Sequence, residues 1–233
     1  MLFSALPERV AEVRAKIEAA ARRGGHGQAV RIVAVTKTHG PEAVTAAAAA
    51  GLRDVGENKV QEAIAKQDAL GAGGGGASGV SWHLIGHLQR NKVKYLDRFS
   101  LFHAVDSARL ADAIHEFGLK RGGPVDVLLE LNVSGEASKG GIALHDVHSE
   151  AERLLAMRGV RVCGVMTMAP FDADEATLRR VFGGTRDARE WCRTAGHPAE
   201  ELSMGMSGDY EVAVEEGATM VRLGTVLFGE RTP

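Results

Sequence analysis

Arg31-Ile32-Val33-Ala34-Val35-Thr36-Lys37-Thr38-His39 begins as an apolar run and ends on a cation. A continuous stretch of Ile, Val and Ala bounded by His39-Gly40-Pro41 reads as a strand buried on both faces, as in a parallel sheet. The following segment, Pro41 to Ala50, reads as the helix that such a strand requires. Lys37 therefore falls where a strand hands over to a loop, the end at which α/β folds gather their ligand sites. Two readings stand side by side at this point. Lys37 is either a surface lysine closing an edge strand, or an amine facing a pocket where desolvation lowers its pKa toward Schiff-base chemistry.

Outward from this stretch the pattern repeats. Strands are expected at about Val30 to Val35, Arg53 to Gly56, Ser81 to Ile85, Leu101 to Val105, Val125 to Val133, Val160 to Val165, Glu201 to Ser203 and Ala218 to Leu223. Helical segments separate them: Pro41 to Ala50, Lys59 to Leu70, Asn91 to Asp97, Ser107 to Leu119, Leu144 to Met157, Asp174 to Thr194 and Ser207 to Glu216. An opening amphipathic helix from Pro7 to Arg23 carries Val10, Val13 and Ile17 at helical spacing and stops at Gly24-Gly25. This order predicts a single α/β domain over residues 1–233, a (β/α)8 TIM-type barrel with an extra N-terminal helix. A doubly wound open sheet is the runner-up. The glycine-rich stretch 71–79 reads as a flexible loop. It is not a phosphate cradle, because no Lys-Ser or Lys-Thr follows and it enters a strand instead of leaving one.

Bulk properties narrow the function classes. Lys and Arg number 28 against 30 Asp and Glu, a net charge of −2, so no global field draws the chain to nucleic acid or an anionic membrane. The two cysteines, Cys163 and Cys192, have no metal-binding spacing and suit a reducing compartment as structural thiols. Residues Met1 to Pro7 lack a secretory pattern and no segment is apolar enough to span a bilayer, which points to the cytoplasm.

Polar residues gather at the expected strand ends: Lys37, Glu57-Asn58, His83, Asp106, Asn132, Met166, Ser203, and Arg222 with Gly224-Thr225. In a barrel these ends form a ring around one ligand. Ser203 to Asp209 leads from a strand into a helix that Ser207 is expected to cap, and Gly224 and Thr225 close the last strand. Each could be mere capping or turning. Together, after strands seven and eight, they favour a phosphate site. Arg222 interrupts an apolar strand and its alternation points inward, where it needs a carboxylate or a ligand atom. His83 reads as a hydrogen-bonded interior histidine.

With these residues assembled, the chain closely resembles the pyridoxal-phosphate homeostasis protein family, whose fold is similar to the barrel domain of alanine racemase. The landmarks are Val35-Thr36-Lys37, Gly56 to Glu62, Trp82 to Lys92, Ser134 to Ile142, Leu202 to Ser207 and Val221 to Thr225. The resemblance implies that Lys37 holds pyridoxal 5′-phosphate (PLP) as a Schiff base and that Arg222 meets the pyridine nitrogen. It further implies that Ser207, Gly224 and Thr225 hold the phosphate, that Asn58 lies near the ring and that Met206 contributes through its backbone. Two departures are a long glycine run and His87, where the family often has proline; neither is expected to touch the pocket.

The expected role is a non-catalytic carrier that regulates or delivers PLP, with PLP-dependent apoenzymes as recipients. The alternative is an amino-acid racemase of low activity, and a more distant one a Schiff-base aldolase acting on a sugar phosphate. An arginine at the pyridine nitrogen weakens the cofactor's electron sink. The chain also stops at Pro233, soon after the last strand, so the second domain of alanine racemase is expected to be missing and the chain to be a monomer. Lys139, in a glycine-flanked loop, is a candidate for displacing the bound cofactor.

Overall fold

A computed structural model of the chain describes residues 3–72, 79–136 and 140–229. Helix α1 (Leu6–Gly24) precedes β1 (Arg31–Val35), α2 (Pro41–Ala49), β2 (Asp54–Glu57), α3 (Val60–Ala72) and β3 (Ser81–Leu84). A 3₁₀ helix (Arg90–Arg98) leads to β4 (Leu101–Val105), α4 (Ala108–Arg121) and β5 (Val125–Asn132). The two-residue β6 (Ile142–Ala143) and a short 3₁₀ turn (Leu144–Asp146) precede α5 (Val147–Leu155) and β7 (Val160–Thr167). The chain continues through α6 (Glu175–Ala195), β8 (Glu201–Ser203), α7 (Tyr210–Glu215), β9 (Met220–Leu223) and α8 (Thr225–Phe228).

All pairings are parallel, and they run β1-β2-β3-β4-β5-β7-β8-β9 before returning to β1. Eight strands thus close a barrel, the TIM-type architecture that the strand–helix alternation predicts. Closure removes the sheet edge on which a surface Lys37 would depend. Strand β6 adds only a short pairing onto the end of β5, through Leu131 and Asn132.

The composition of the strands explains the closure. All five residues of β4 and four of the five in β1 are buried, as expected for strands covered by helices outside and by side chains within. The helices supply the outer cover. In α6, Leu178, Val181, Phe182, Thr185, Ala188 and Cys192 are buried, Asp174 caps the start by accepting from Thr177 N at 2.8 Å, and Gly196 ends the helix in the left-handed region. In α1, Leu6, Val10, Val13, Ile17 and Ala20 form the buried stripe, which packs on α7 and α8. Phe102 and Phe182 are among the largest fully buried side chains. Truncating either to alanine is expected to cost about 3–5 kcal/mol.

Two expectations change. The segment Asn91 to Asp97 is a 3₁₀ helix within Arg90–Arg98 instead of an α-helix. Helix α7 begins at Tyr210, not Ser207, because Gly205 and the residues after it are spent on a tight turn. At Gly205 φ is +93°, and a Cβ there would lie 2.6 Å from Ala213 Cβ and 2.9 Å from Tyr210 Cα. Of the glycine-rich stretch between α3 and β3, residues 73–78 lie outside the described residues.

Candidate cofactor site

At the C-terminal mouth a cavity of about 1020 Å³ is lined by Lys37, Asn58, Met206, Ser207, Arg222, Gly224 and Thr225, all seven residues singled out by sequence. The topology explains their meeting. Ser207 follows β8, Arg222 lies in β9, Gly224 and Thr225 follow β9, Lys37 follows β1 and Asn58 follows β2, and these four strands are consecutive neighbours around the barrel. Arg222 is in register with Val33 of β1, so the guanidinium and the Lys37 loop belong to adjacent walls. Lys139 lies outside the described residues.

The Lys37 turn is held on both sides. Lys66 of α3 donates to Thr36 O at 2.8 Å and to Glu57 Oε1 at 2.6 Å, and Thr36 Oγ1 donates to the same Glu57 oxygen at 2.5 Å. On the other side Thr38 N donates to Glu62 Oε1 at 2.7 Å, and Lys66 also reaches Glu62 at 3.2 Å. Thr38 has φ of +69°, a left-handed conformation that costs a non-glycine residue about 1–2 kcal/mol. The Glu62 bond stabilises it. Glu57 is fully buried and Lys66 nearly so. Burial pushes the Glu57 carboxyl up, against the hydrogen bonds and charge of Lys66 and Thr36. Its second oxygen has no partner among the described residues.

Arg222 is 4% exposed at the pocket floor. It donates to Ser203 O at 2.8 Å, Ser203 Oγ at 2.7 Å and Thr167 O at 2.9 Å, all uncharged acceptors. The carboxylates of Asp209 and Glu130 both line the cavity and attract it without forming an ion pair. Burial pushes the guanidinium down to about 10, against the pull of these two carboxylates. Burial likewise raises Glu130, with Asp106 adding to the effect and Arg222 opposing it, and raises Asp209 against its bond from Met206 N. A cation balanced by two reluctant carboxylates suits an uncharged or anionic ligand atom.

Ser207 does not cap α7. Its Oγ accepts from Val226 N at 3.3 Å, tying the loop after β8 to the start of α8. Asp209 closes the turn instead, accepting from Met206 N at 2.5 Å, so the Met206 amide is already engaged. The Met206 side chain is exposed and lines the mouth. His87 also lines the cavity, contrary to expectation. The loop after β3 turns across the rim because Gly86 lies against Asn58, where a Cβ would come within 2.5 Å of Asn58 O. From there His87 Nδ1 bonds Asp106 Oδ2 at 2.8 Å. The loop from Met168 to Ala173 forms another wall, with Phe171 93% exposed. His83 is the interior histidine expected and sits below the rim, bonded to Asp54 and His103. Glu57, Met166 and Ser203 are also buried beneath the mouth.

The alanine racemase N-terminal domain model matches residues 9–232. A pyridoxal phosphate homeostasis protein of Aquifex aeolicus is 40% identical over 227 residues, covering 96% of this chain and 97% of the relative.

The chain belongs to the pyridoxal phosphate homeostasis protein family.

A solved relative agrees with that family assignment across the fold. PipY of Synechococcus elongatus, solved with PLP bound, superposes with a TM-score of 0.82 at 35% identity, covering 96% of this chain and 100% of PipY. Alanine racemase of Corynebacterium glutamicum gives a TM-score of 0.73 at 17% identity, over 99% of this chain and 62% of the racemase, a likeness of fold. The donor set fits the family's cofactor. An amine, a buried guanidinium and the hydroxyls of Ser207 and Thr225 beside the α8 start match a carbonyl, an aromatic nitrogen and a phosphate.

Proposed function

We propose that the chain binds pyridoxal 5′-phosphate in this cavity as a carrier or regulator of the cofactor in the cell. The observation that carries the reading is the convergence of Lys37, Asn58, Arg222, Ser207 and Thr225 on one cavity from four adjacent strands. The cofactor supplies an aldehyde able to condense with an amine. Lys37 provides that amine on a turn held by Lys66 and Glu62. Arg222 stands at the floor to meet the ring nitrogen, Asn58 faces the ring, and Ser207, Gly224 and Thr225 take the phosphate.

A binding role fits the wall better than turnover does. Racemisation needs acid/base groups on two faces of the substrate carbon. The chain has two tyrosines, Tyr95 in the 3₁₀ helix and Tyr210 at the start of α7, and neither lines the cavity. A guanidinium lowered to about 10 stays charged at neutral pH and is a poor acid toward a ring nitrogen. No helix among the described residues is long and apolar enough to cross a membrane. A cytoplasmic, monomeric carrier that passes cofactor to PLP-dependent apoenzymes completes the proposal.

Titrating the protein with PLP tests it. A saturable near-visible absorption band is expected in the wild type and is expected to be lost in Lys37→Ala. An unchanged band in that variant overturns the assignment. A coupled assay across D- and L-amino acids addresses turnover: a saturable rate that vanishes in Lys37→Ala would replace the carrier with an enzyme.

A further inference from the structure

Below the pocket, a line of buried polar groups crosses the barrel interior from its C-terminal to its N-terminal end. Arg222 Nη1 lies 2.7 Å from Ser203 Oγ, Ser203 Oγ lies 3.0 Å from His103 Nδ1, His103 Nε2 lies 2.8 Å from His83 Nδ1, and His83 Nε2 lies 2.9 Å from Asp54 Oδ1. Ser203 and His103 are fully buried, and His83 and Arg222 are 2% and 4% exposed. Asp54 opens β2 at the far end, where it lines a separate cavity of about 490 Å³ and lies 3.7 Å from Arg31.

With both histidines neutral, donor and acceptor chemistry gives this line a direction. Arginine only donates, so Ser203 accepts from Arg222 and its own hydrogen is free to go to His103 Nδ1. His103 then carries its proton on Nε2 and donates to His83 Nδ1, which leaves His83 protonated on Nε2 and donating to Asp54. Starting from Asp54 gives the same answer, because an ionised carboxylate only accepts. Burial, reinforced by the nearby charges of Arg222 and Arg31, holds His103 well below the usual imidazole range and therefore neutral. Burial raises Asp54, but its hydrogen bond with His83 and the charge of Arg31 outweigh it and keep the carboxyl below its ordinary value. Four hydrogen bonds run one way with each donor matched. The opposite order would aim both His103 and Arg222 at Ser203 Oγ and leave the serine hydrogen without either as an acceptor.

We propose that Asp54, His83, His103 and Ser203 form a positioning relay, in which Asp54 at the far end selects the tautomer of both histidines and thereby holds Arg222 at the pocket floor. None of these four residues lines the cofactor cavity, so they act only through Arg222. The proposal deepens the function above, resting on Arg222 facing the bound cofactor, but its structural half can be read without any ligand.

Nitrogen-15 spectra of the protein alone read the tautomers and the slowly exchanging Arg222 Nη protons. Wild type is expected to show both histidines neutral and protonated on Nε2. Asp54→Asn, whose amide can donate or accept, is expected to populate Nδ1-protonated His103 and to speed exchange at Arg222. Asp54→Glu is expected to restore the wild-type pattern. His103→Gln, which keeps one donor and one acceptor, is expected to retain Arg222 protection better than His103→Leu, with circular dichroism verifying the fold. A wild-type His103 protonated on Nδ1, or an Arg222 indifferent to Asp54→Asn, overturns the relay. With PLP, Asp54→Asn is expected to weaken binding roughly tenfold and shift the absorption band. Unchanged affinity and band despite a shifted tautomer overturn the link to the cofactor. If wild type takes no PLP at all, the carrier function fails while the ligand-free spectra still decide the relay.

Discussion

Lys66 Nζ donates to Thr36 O at 2.8 Å, so a buried ammonium on α3 grips the peptide immediately before Lys37. The same ammonium satisfies buried Glu57 and reaches Glu62, which holds the amide of Thr38 on the other side. Lys66→Met leaves buried Glu57 with the Thr36 hydroxyl but no opposite charge, and removing one partner of a buried pair costs about 3–5 kcal/mol. Urea unfolding is expected to show a loss of that order. Adding Glu57→Gln is expected to recover part of it, together with part of the PLP affinity. Additive losses in the double variant would contradict the coupling.

Ser207 and Thr225 are assigned to the phosphate and not to the ring, so their removal should distinguish vitamers. Ser207→Ala and Thr225→Ala are each expected to weaken PLP by about tenfold to a hundredfold, in line with ~1.5–3 kcal/mol for a hydrogen bond to a charged group. Pyridoxal, which lacks the phosphate, is expected to bind these variants as it binds wild type. Equal losses for both vitamers in equilibrium titrations would move the phosphate elsewhere.

Gly205→Ala places a methyl group in a left-handed residue against Ala213 and Tyr210. A stability loss of about 1–3 kcal/mol or more is expected from the backbone alone. Because Gly205 O accepts from Arg222 N at 2.9 Å, PLP affinity is expected to fall as well. Thermal unfolding and titration of the same sample check both effects.

Burial pushes the thiols of Cys163 and Cys192 up to about 11. A raised thiol pKa leaves the protonated, unreactive form dominant well above neutrality, with on the order of 0.1% thiolate at pH 8. Native protein is expected to react far more slowly with a thiol reagent at pH 8 than unfolded protein, and the native rate is expected to climb toward pH 11. Rapid labelling of Cys192 at pH 7 would contradict its burial.

The barrel was legible because its strands are continuous apolar runs between helical segments, which is the signature of a sheet covered on both faces. Lys37 and Arg222 stood out as cations inside such runs, and the structure brings both to one cavity. Features set by register across the barrel were not legible. His83 and His103 lie on β3 and β4, and only the three-dimensional stacking of Asp54, Ser203 and Arg222 around them shows a relay. The Glu62–Lys66 spacing of four was a visible helical pair, but its grip on Thr36 and Thr38 depends on how α3 packs beneath the β1 turn. Ser207 misled as a cap because Asp209 bonds back to Met206 and delays the helix to Tyr210. His87 could not be placed without the close approach of Gly86 to Asn58.

The most direct measurement is to saturate the protein with PLP, reduce with borohydride, digest, and locate the modified residue by mass spectrometry. The account predicts one stable adduct per chain, on the peptide containing Lys37, and none in Lys37→Ala. An adduct on Lys66 or another lysine, or no adduct on a protein that has bound PLP, would contradict it.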